Sequence, residues 1–177
     1  MSIEITGLQA IQKSLNTLSQ SLGKREMKST MSTIGGMITN TIEDSFEKEQ
    51  SPWGEKWKPL KIVSYHLGYS IGKGKKTHTK KGKQTAGFSR YVENKKILRE
   101  SGALAGKWLT TATSESVEVS GNAKSKKAFA YGIVHQWGSK KIVARKFLPI
   151  DESGELEGRL QKQIESYLDA KVEEALK

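Results

Sequence analysis

The sequence predicts an α+β domain in which N- and C-terminal helices flank a small antiparallel sheet, with a basic arm inserted ahead of the sheet. Three observations predict it. At both ends of the chain apolar residues recur every three or four positions, which stacks them on one face of a helix. Near residues 108–120 β-branched residues alternate with polar ones, the period of a half-buried strand. Between these regions lies a segment that carries nearly all of the excess positive charge.

In chain order, Thr6-Gly7-Leu8-Gln9 fits a capping box, in which a hydroxyl accepts from an orphan amide and a Gln reaches back. Leu8, Ile11, Leu15, Leu18 and Leu22 then share one face, and Gly23 is the expected stop. A second helix is expected over Lys24 to Glu49, with Met27, Met31, Ile34, Ile38, Ile42 and Phe46 along one side. Gly35-Gly36 in its middle costs about 1 kcal/mol per glycine relative to Ala, so a kink or a close packing approach is expected there. Pro52 and Pro59 forbid continuation, making residues 51–60 an ordered turn anchored by Trp53 and Trp57.

Residues 61–96 are rich in Gly, Lys, Thr and Ser with few apolar anchors, and read as a flexible basic arm or long loop. Trp108 to Thr113 and Ser116 to Ser120 read as two antiparallel strands around Ser114-Glu115. Ala128 to Gln136 fits a short helix ended by Gly138, and Ile142-Val143-Ala144 a further strand. Glu152 to Lys177 carries Leu156, Leu160, Ile164, Leu168, Val172 and Leu176 at spacings of four. That is a helix whose stripe drifts about 40° per step.

At 177 residues and a mean hydropathy of −0.59 the chain suits one domain over 1–177 with a real core. No apolar run approaches the roughly 18 residues of a membrane span. The N-terminus lacks the pattern of a secretory signal, so cytosolic folding is expected. Cysteine is absent, which excludes disulfides, thiolate metal sites and cysteine catalysis.

The net charge of +11 is localised. From Lys61 to Arg99 there are eleven Lys/Arg and one acid, Glu93, whereas the remainder holds 19 basic and 18 acidic residues. Lys73, Lys75, Lys76, Lys80, Lys81 and Lys83 are the centre of this charge. Such an arm suits either acidic protein or nucleic-acid phosphates; docking on protein is the favoured reading, and a nucleic-acid-binding module the alternative.

Catalytic and cofactor motifs are weak. His66, His78 and His135 do not fall at metal-ligand spacing, and His135 reads as a structural histidine. Ser21-x-x-Lys24 lacks companion motifs, and Gly68 to Gly74 lacks the spacing of a phosphate loop. Glu43, Asp44, Glu47 and Glu49 read as a solvated face. No catalytic residue, metal or cofactor is expected.

Three further segments carry a resemblance. They are Ser51-Pro52-Trp53-Gly54-Glu55-Lys56-Trp57-Lys58-Pro59-Leu60; Ile97-Leu98-Arg99-Glu100-Ser101-Gly102-Ala103-Leu104; and Ala130-Tyr131-Gly132-Ile133-Val134-His135-Gln136-Trp137-Gly138 followed by Val143-Ala144-Arg145-Lys146-Phe147-Leu148. Taken in this order they resemble the phage virion morphogenesis family of tail-completion proteins, over about Ile34 to Leu156. Val143, Lys146 and Ser139 depart from the residues usual there.

The resemblance implies a non-enzymatic structural protein of a phage or prophage, working in tail completion or head-to-tail joining. Its partners would be other head, neck or tail proteins and copies of itself, in the host cytoplasm and then in the virion. Trp53, Trp57, Tyr131, His135, Trp137, Arg145 and Phe147 are the candidate contact residues, either closing the core or facing neighbouring subunits. The winding C-terminal stripe adds to the expectation of a homo-oligomer.

Overall fold

The first apolar stripe forms α1 (Gln9–Ser21) in the computed structural model of the chain, which describes residues 8–73, 76–99, 102–106, 108–121 and 131–177. Ile11 and Leu18 are buried, with Leu8, Leu15 and Leu22 packed beside them. Leu8, rather than a polar side chain, precedes the first helical residue, and Thr6 lies outside the described residues. Gly23 is not a left-handed stop: at φ −70° it opens the next helix, where Glu26 Oε2 accepts its N–H at 3.0 Å.

Helix α2 (Lys24–Lys48) is the spine. Its N-terminal half joins α1 and the C-terminal helix in one core of Met27, Met31, Ile34, Leu160, Ile164 and Leu168. Its C-terminal half supplies Ile42 and Phe46 to a second core with Trp57, Ile97, Leu104 and Phe147. The strands β1 (Trp108–Ala112) and β2 (Val117–Gly121) pair antiparallel, with Thr110 opposite Val119, and lie across the helix. Gly35 explains the contact. A Cβ there would stand 2.3 Å from Thr110 Cγ2 and 2.7 Å from Val117 Cγ2, so the hairpin sits where only glycine leaves room. The neighbouring Gly36 faces open space.

Residues 61–96 correct the expectation of an arm or long loop. They contain α3 (Ile62–Lys73) and α4 (Ala86–Asn94), around a cluster of rings. Phe88 is fully buried, with its ring centroid 4.7 Å from His66 and 5.4 Å from Tyr69; His66 stacks on His78 at 5.3 Å. A Cβ on Gly87 would meet the Tyr69 hydroxyl at 2.5 Å, so the two helices are tightly apposed. No aliphatic stripe announces this cluster, because its rings are spread from position 66 to 91 and two belong to histidine.

Helix α5 (Tyr131–Trp137) ends at Gly138, φ +80°, as expected. The anticipated strand at Ile142-Val143-Ala144 does not form. Ser139 Oγ accepts the N–H groups of Lys141 and Ile142 while Ser139 N–H donates to the Ile142 carbonyl, so the chain curls into a closed turn. Helix α6 (Gly158–Ala175) starts later than anticipated, capped by Glu157, whose carboxylate accepts from the Arg159 and Leu160 amides. Its stripe is buried through Leu168 and then winds out of the core, leaving Leu176 69% exposed.

Among the described residues one miniature hairpin occurs three times, at residues 51–55, 79–83 and 151–155. In each, the first N–H donates to the fifth carbonyl, the glycine N–H donates back to the first carbonyl, and the flanking residues bridge. Gly54, Gly82 and Gly154 take φ of +90°, +76° and +85°, as the fourth position requires. Among the described residues no helix is long and apolar enough to cross a membrane.

Gly35→Ala is expected to lower stability by about 1–3 kcal/mol through overpacking against Thr110 and Val117. Gly36→Ala should instead raise it by roughly 0.5–1 kcal/mol through helix propensity. Urea unfolding of the two variants checks the contrast.

Candidate functional site

The second and third motif segments meet the first at the end of α2. Gln136, on α5, is fully buried, and its Oε1 accepts two backbone N–H groups, from Phe147 at 2.8 Å and Leu148 at 2.9 Å. Arg145 N–H donates to the His135 carbonyl at 2.6 Å. These bonds lay residues 145–148 against α5 and drive the Phe147 ring into the core, 5.1 Å from Phe46 and 5.9 Å from Trp108.

Trp57 meets Phe46 edge to face at 5.4 Å, and its indole N–H donates to the Lys146 carbonyl at 2.9 Å. Arg145, 7% exposed, reaches the same turn from the other side. Its Nε donates to the Lys58 carbonyl at 3.1 Å and a terminal nitrogen to the Pro59 carbonyl at 3.3 Å. Burial lowers the pKa of the guanidinium. Arg145, Trp57 and Phe147 therefore knit loops together from within, and present little surface to a neighbour.

Glu49 adds a knot that motif reading missed. It sits at φ +52°, a strained position for a non-glycine residue. Its carbonyl accepts the Trp57 N–H at 2.9 Å and its carboxylate accepts the Ile97 N–H at 2.7 Å, bringing the first two motif segments to one residue.

The remaining candidates lie towards the margin. Trp53, Tyr131 and Trp137 are half-buried. Lys146 Nζ stands 5.8 Å from the centroid of the Trp137 ring and 3.6 Å from Glu152. Beside them the Ser139 turn leaves Ile142 and Val143 more than a third exposed. His135 faces Tyr131 edge-on, and its Nδ1 is buried without a hydrogen-bond partner among the described residues. Loss of water and the Arg145 charge both lower its pKa below the ordinary 6.5, in that order of size.

The basic residues stand apart from this site. Lys76, Lys80, Lys81 and Lys83 are exposed, Lys73 ends α3, and Lys75 lies outside the described residues. Three of the four acids in the cluster have partners: Asp44 pairs with Lys48, Glu47 with Arg99 at 3.1 Å, and Glu49 with the Ile97 amide. An open groove of about 480 Å³ between α2 and the start of α6 mixes Glu43 and Asp44 with Lys48 and Arg159. Among the described residues no three His, Asp or Glu gather as metal ligands.

Fold and site thus define a small α+β protein whose motif residues bind its own loops into a rigid frame. The chain belongs to the phage virion morphogenesis family, whose sequence model it matches over residues 6–169, and has a role in phage assembly as a component of the particle. No curated protein and no solved structure matches it.

Gln136→Leu is expected to cost about 2–4 kcal/mol, because two N–H groups lose their acceptor in a dry interior. Arg145→Ala should cost a similar amount by releasing the Lys58-Pro59 carbonyls. Urea unfolding reads both.

Between neutrality and mild acid, His135 gives stability a slope. As pH falls through about 6.5 the unfolded chain takes up a proton that the folded protein, with its lowered pKa, resists. Stability is therefore highest above 6.5 and declines below it until the folded-state pKa is passed. His135→Gln should flatten that part of a pH series of melting curves.

Proposed function

We propose that this chain is a non-enzymatic structural subunit acting in tail completion or in joining head to tail, and that it works by contact with neighbouring virion proteins and with copies of itself. The observation that carries this reading is the family match over residues 6–169, supported by the way its motif segments converge on Gln136 and Glu49. A frame held this firmly is suited to presenting a surface. That surface is the margin of Trp137, Ile142 and Val143, and the half-buried Tyr131 and Trp53 are further contact candidates. Trp57, Arg145, Phe147 and His135 act beneath it by fixing its shape.

Assembly takes place in the host cytoplasm and ends with the subunit in the virion. A second apolar surface is the exposed end of α6 around Leu176, where the stripe leaves the core. It gives copies of the chain a place to meet and supports a homo-oligomeric ring.

Complementation of particles lacking this protein tests the reading. Trp137→Ala and the double variant Ile142→Ser/Val143→Ser should fold normally yet leave unjoined or unfinished particles in negative stain, whereas Lys76→Ala should complete them. Normal completion by both margin variants would remove this surface. Mass measurement of the wild type with and without particle components checks the oligomer, and a monomer in both would dismiss it.

A further inference from the structure

The three miniature hairpins share one backbone and differ in charge. Their sequences are Ser51-Pro52-Trp53-Gly54-Glu55, Thr79-Lys80-Lys81-Gly82-Lys83 and Asp151-Glu152-Ser153-Gly154-Glu155. The fifth position is Glu in the first and third and Lys in the second, and the second position is Pro, Lys or Glu. The turn accordingly needs none of the three lysines for its geometry. Nor does the surrounding lobe use them: Lys80, Lys81 and Lys83 are exposed and form no ion pair among the described residues, as is true of Lys76. Like charges placed close together on a fixed turn repel, and a bound polyanion relieves that repulsion.

We propose that the lobe of α3, the Thr79–Lys83 hairpin and α4 is a binding element for the phosphate backbone of duplex DNA. Two features suit a row of phosphates. Of the ten basic residues in 61–96, nine are lysines, and Arg90 is the single arginine. Arginine forks onto carboxylate and phosphate alike, whereas lysine is a point charge that needs no fixed geometry, which suits a row of phosphates followed by charge alone. Glu93 is the one acid in that span, so the lobe presents charge of nearly one sign, matching the unbroken run of negative charge along a duplex.

Binding is independent of base sequence. Phe88 is fully buried and Tyr69 is 6% exposed, so these rings hold the lobe together and are not available to stack on bases. Because the rings give the hairpin a folded base, the lysines approach the duplex as a group. This function goes beyond the assembly role and can fail without affecting it.

Fluorescence anisotropy with two labelled duplexes of about 30 bp and unrelated sequence, titrated between about 0.05 and 0.2 M salt, tests the proposal. The wild type should bind both equally, with a steep salt dependence. Lys80→Ala/Lys81→Ala/Lys83→Ala should reduce the slope of log K against log salt by about 2–3 and weaken binding at least about tenfold at 0.1 M salt. A variant with the same charge loss at exposed sites elsewhere, Lys140→Ala/Lys141→Ala/Lys162→Ala, should keep the wild-type slope. Circular dichroism confirms that both variants fold. Absence of wild-type binding, or equal weakening by the two variants, would overturn the proposal. Tighter binding to polyglutamate than to duplex, lost in the hairpin variant, would overturn it in favour of an acidic protein partner.

Discussion

A single buried oxygen, Oε1 of Gln136, sets where the last motif segment can lie. By accepting from two successive backbone amides it fixes residues 147 and 148 to α5 without any sheet, and in doing so aims Phe147 at Phe46 and Trp108. Phe46 in turn packs on Trp57, whose indole donates to the carbonyl of Lys146, so the arrangement closes on itself. Gln136 and Trp57 are each tied to the main chain of residues 146–148, and Phe46 and Phe147 fill the space between them. Substituting Gln136 leaves the Phe147 amide unmatched in a buried place, which is costlier than losing the bond alone.

The helices of the body were legible because burial there follows the helical period. Leu160, Ile164 and Leu168 are all but inaccessible, and the drift of a four-residue repeat anticipates that Leu176 leaves the core. The hairpin was legible for the same reason at period two, and Gly35-Gly36 signalled a close approach whose partner proved to be a strand. Where burial depends on rings from distant positions, or on hydroxyl-capped turns, period says nothing. Residues 61–96 and 142–144 fell in that gap: the first gathers His66, Tyr69, His78 and Phe88 around no repeating stripe, and the second is curled by one serine.

The candidate site was legible by composition but not in orientation. Aromatic residues beside glycine and proline marked the right segments, but nothing in the spacing tells that Trp57 and Phe147 turn inward while Trp137 stays at the margin. Arg145 carries a charge that is ordinarily solvated, and its letter does not say whether it faces a neighbour or the interior. Two backbone carbonyls of the first turn satisfy it inside. Gln136 and Glu49 gave no warning, since an amide or a carboxylate that serves main-chain donors has the same letter as one facing solvent.

Glu49 has a topological effect as well as a packing one. The chain departs for α3 just after Trp57 and returns from α4 at Ile97, and both of these residues bond to Glu49. Lys58, Pro59 and Leu60 still belong to the body, and residues 61–96 beyond them form an excursion whose two feet stand close to one residue. Changing the length of such an excursion alters only its closure entropy, which grows with the logarithm of length, about 0.6 kcal/mol for each doubling. The body is thereby insulated from what the excursion carries. Evolution or an experimenter can exchange that cassette, its charge included, while the two cores on α2 keep the same shape.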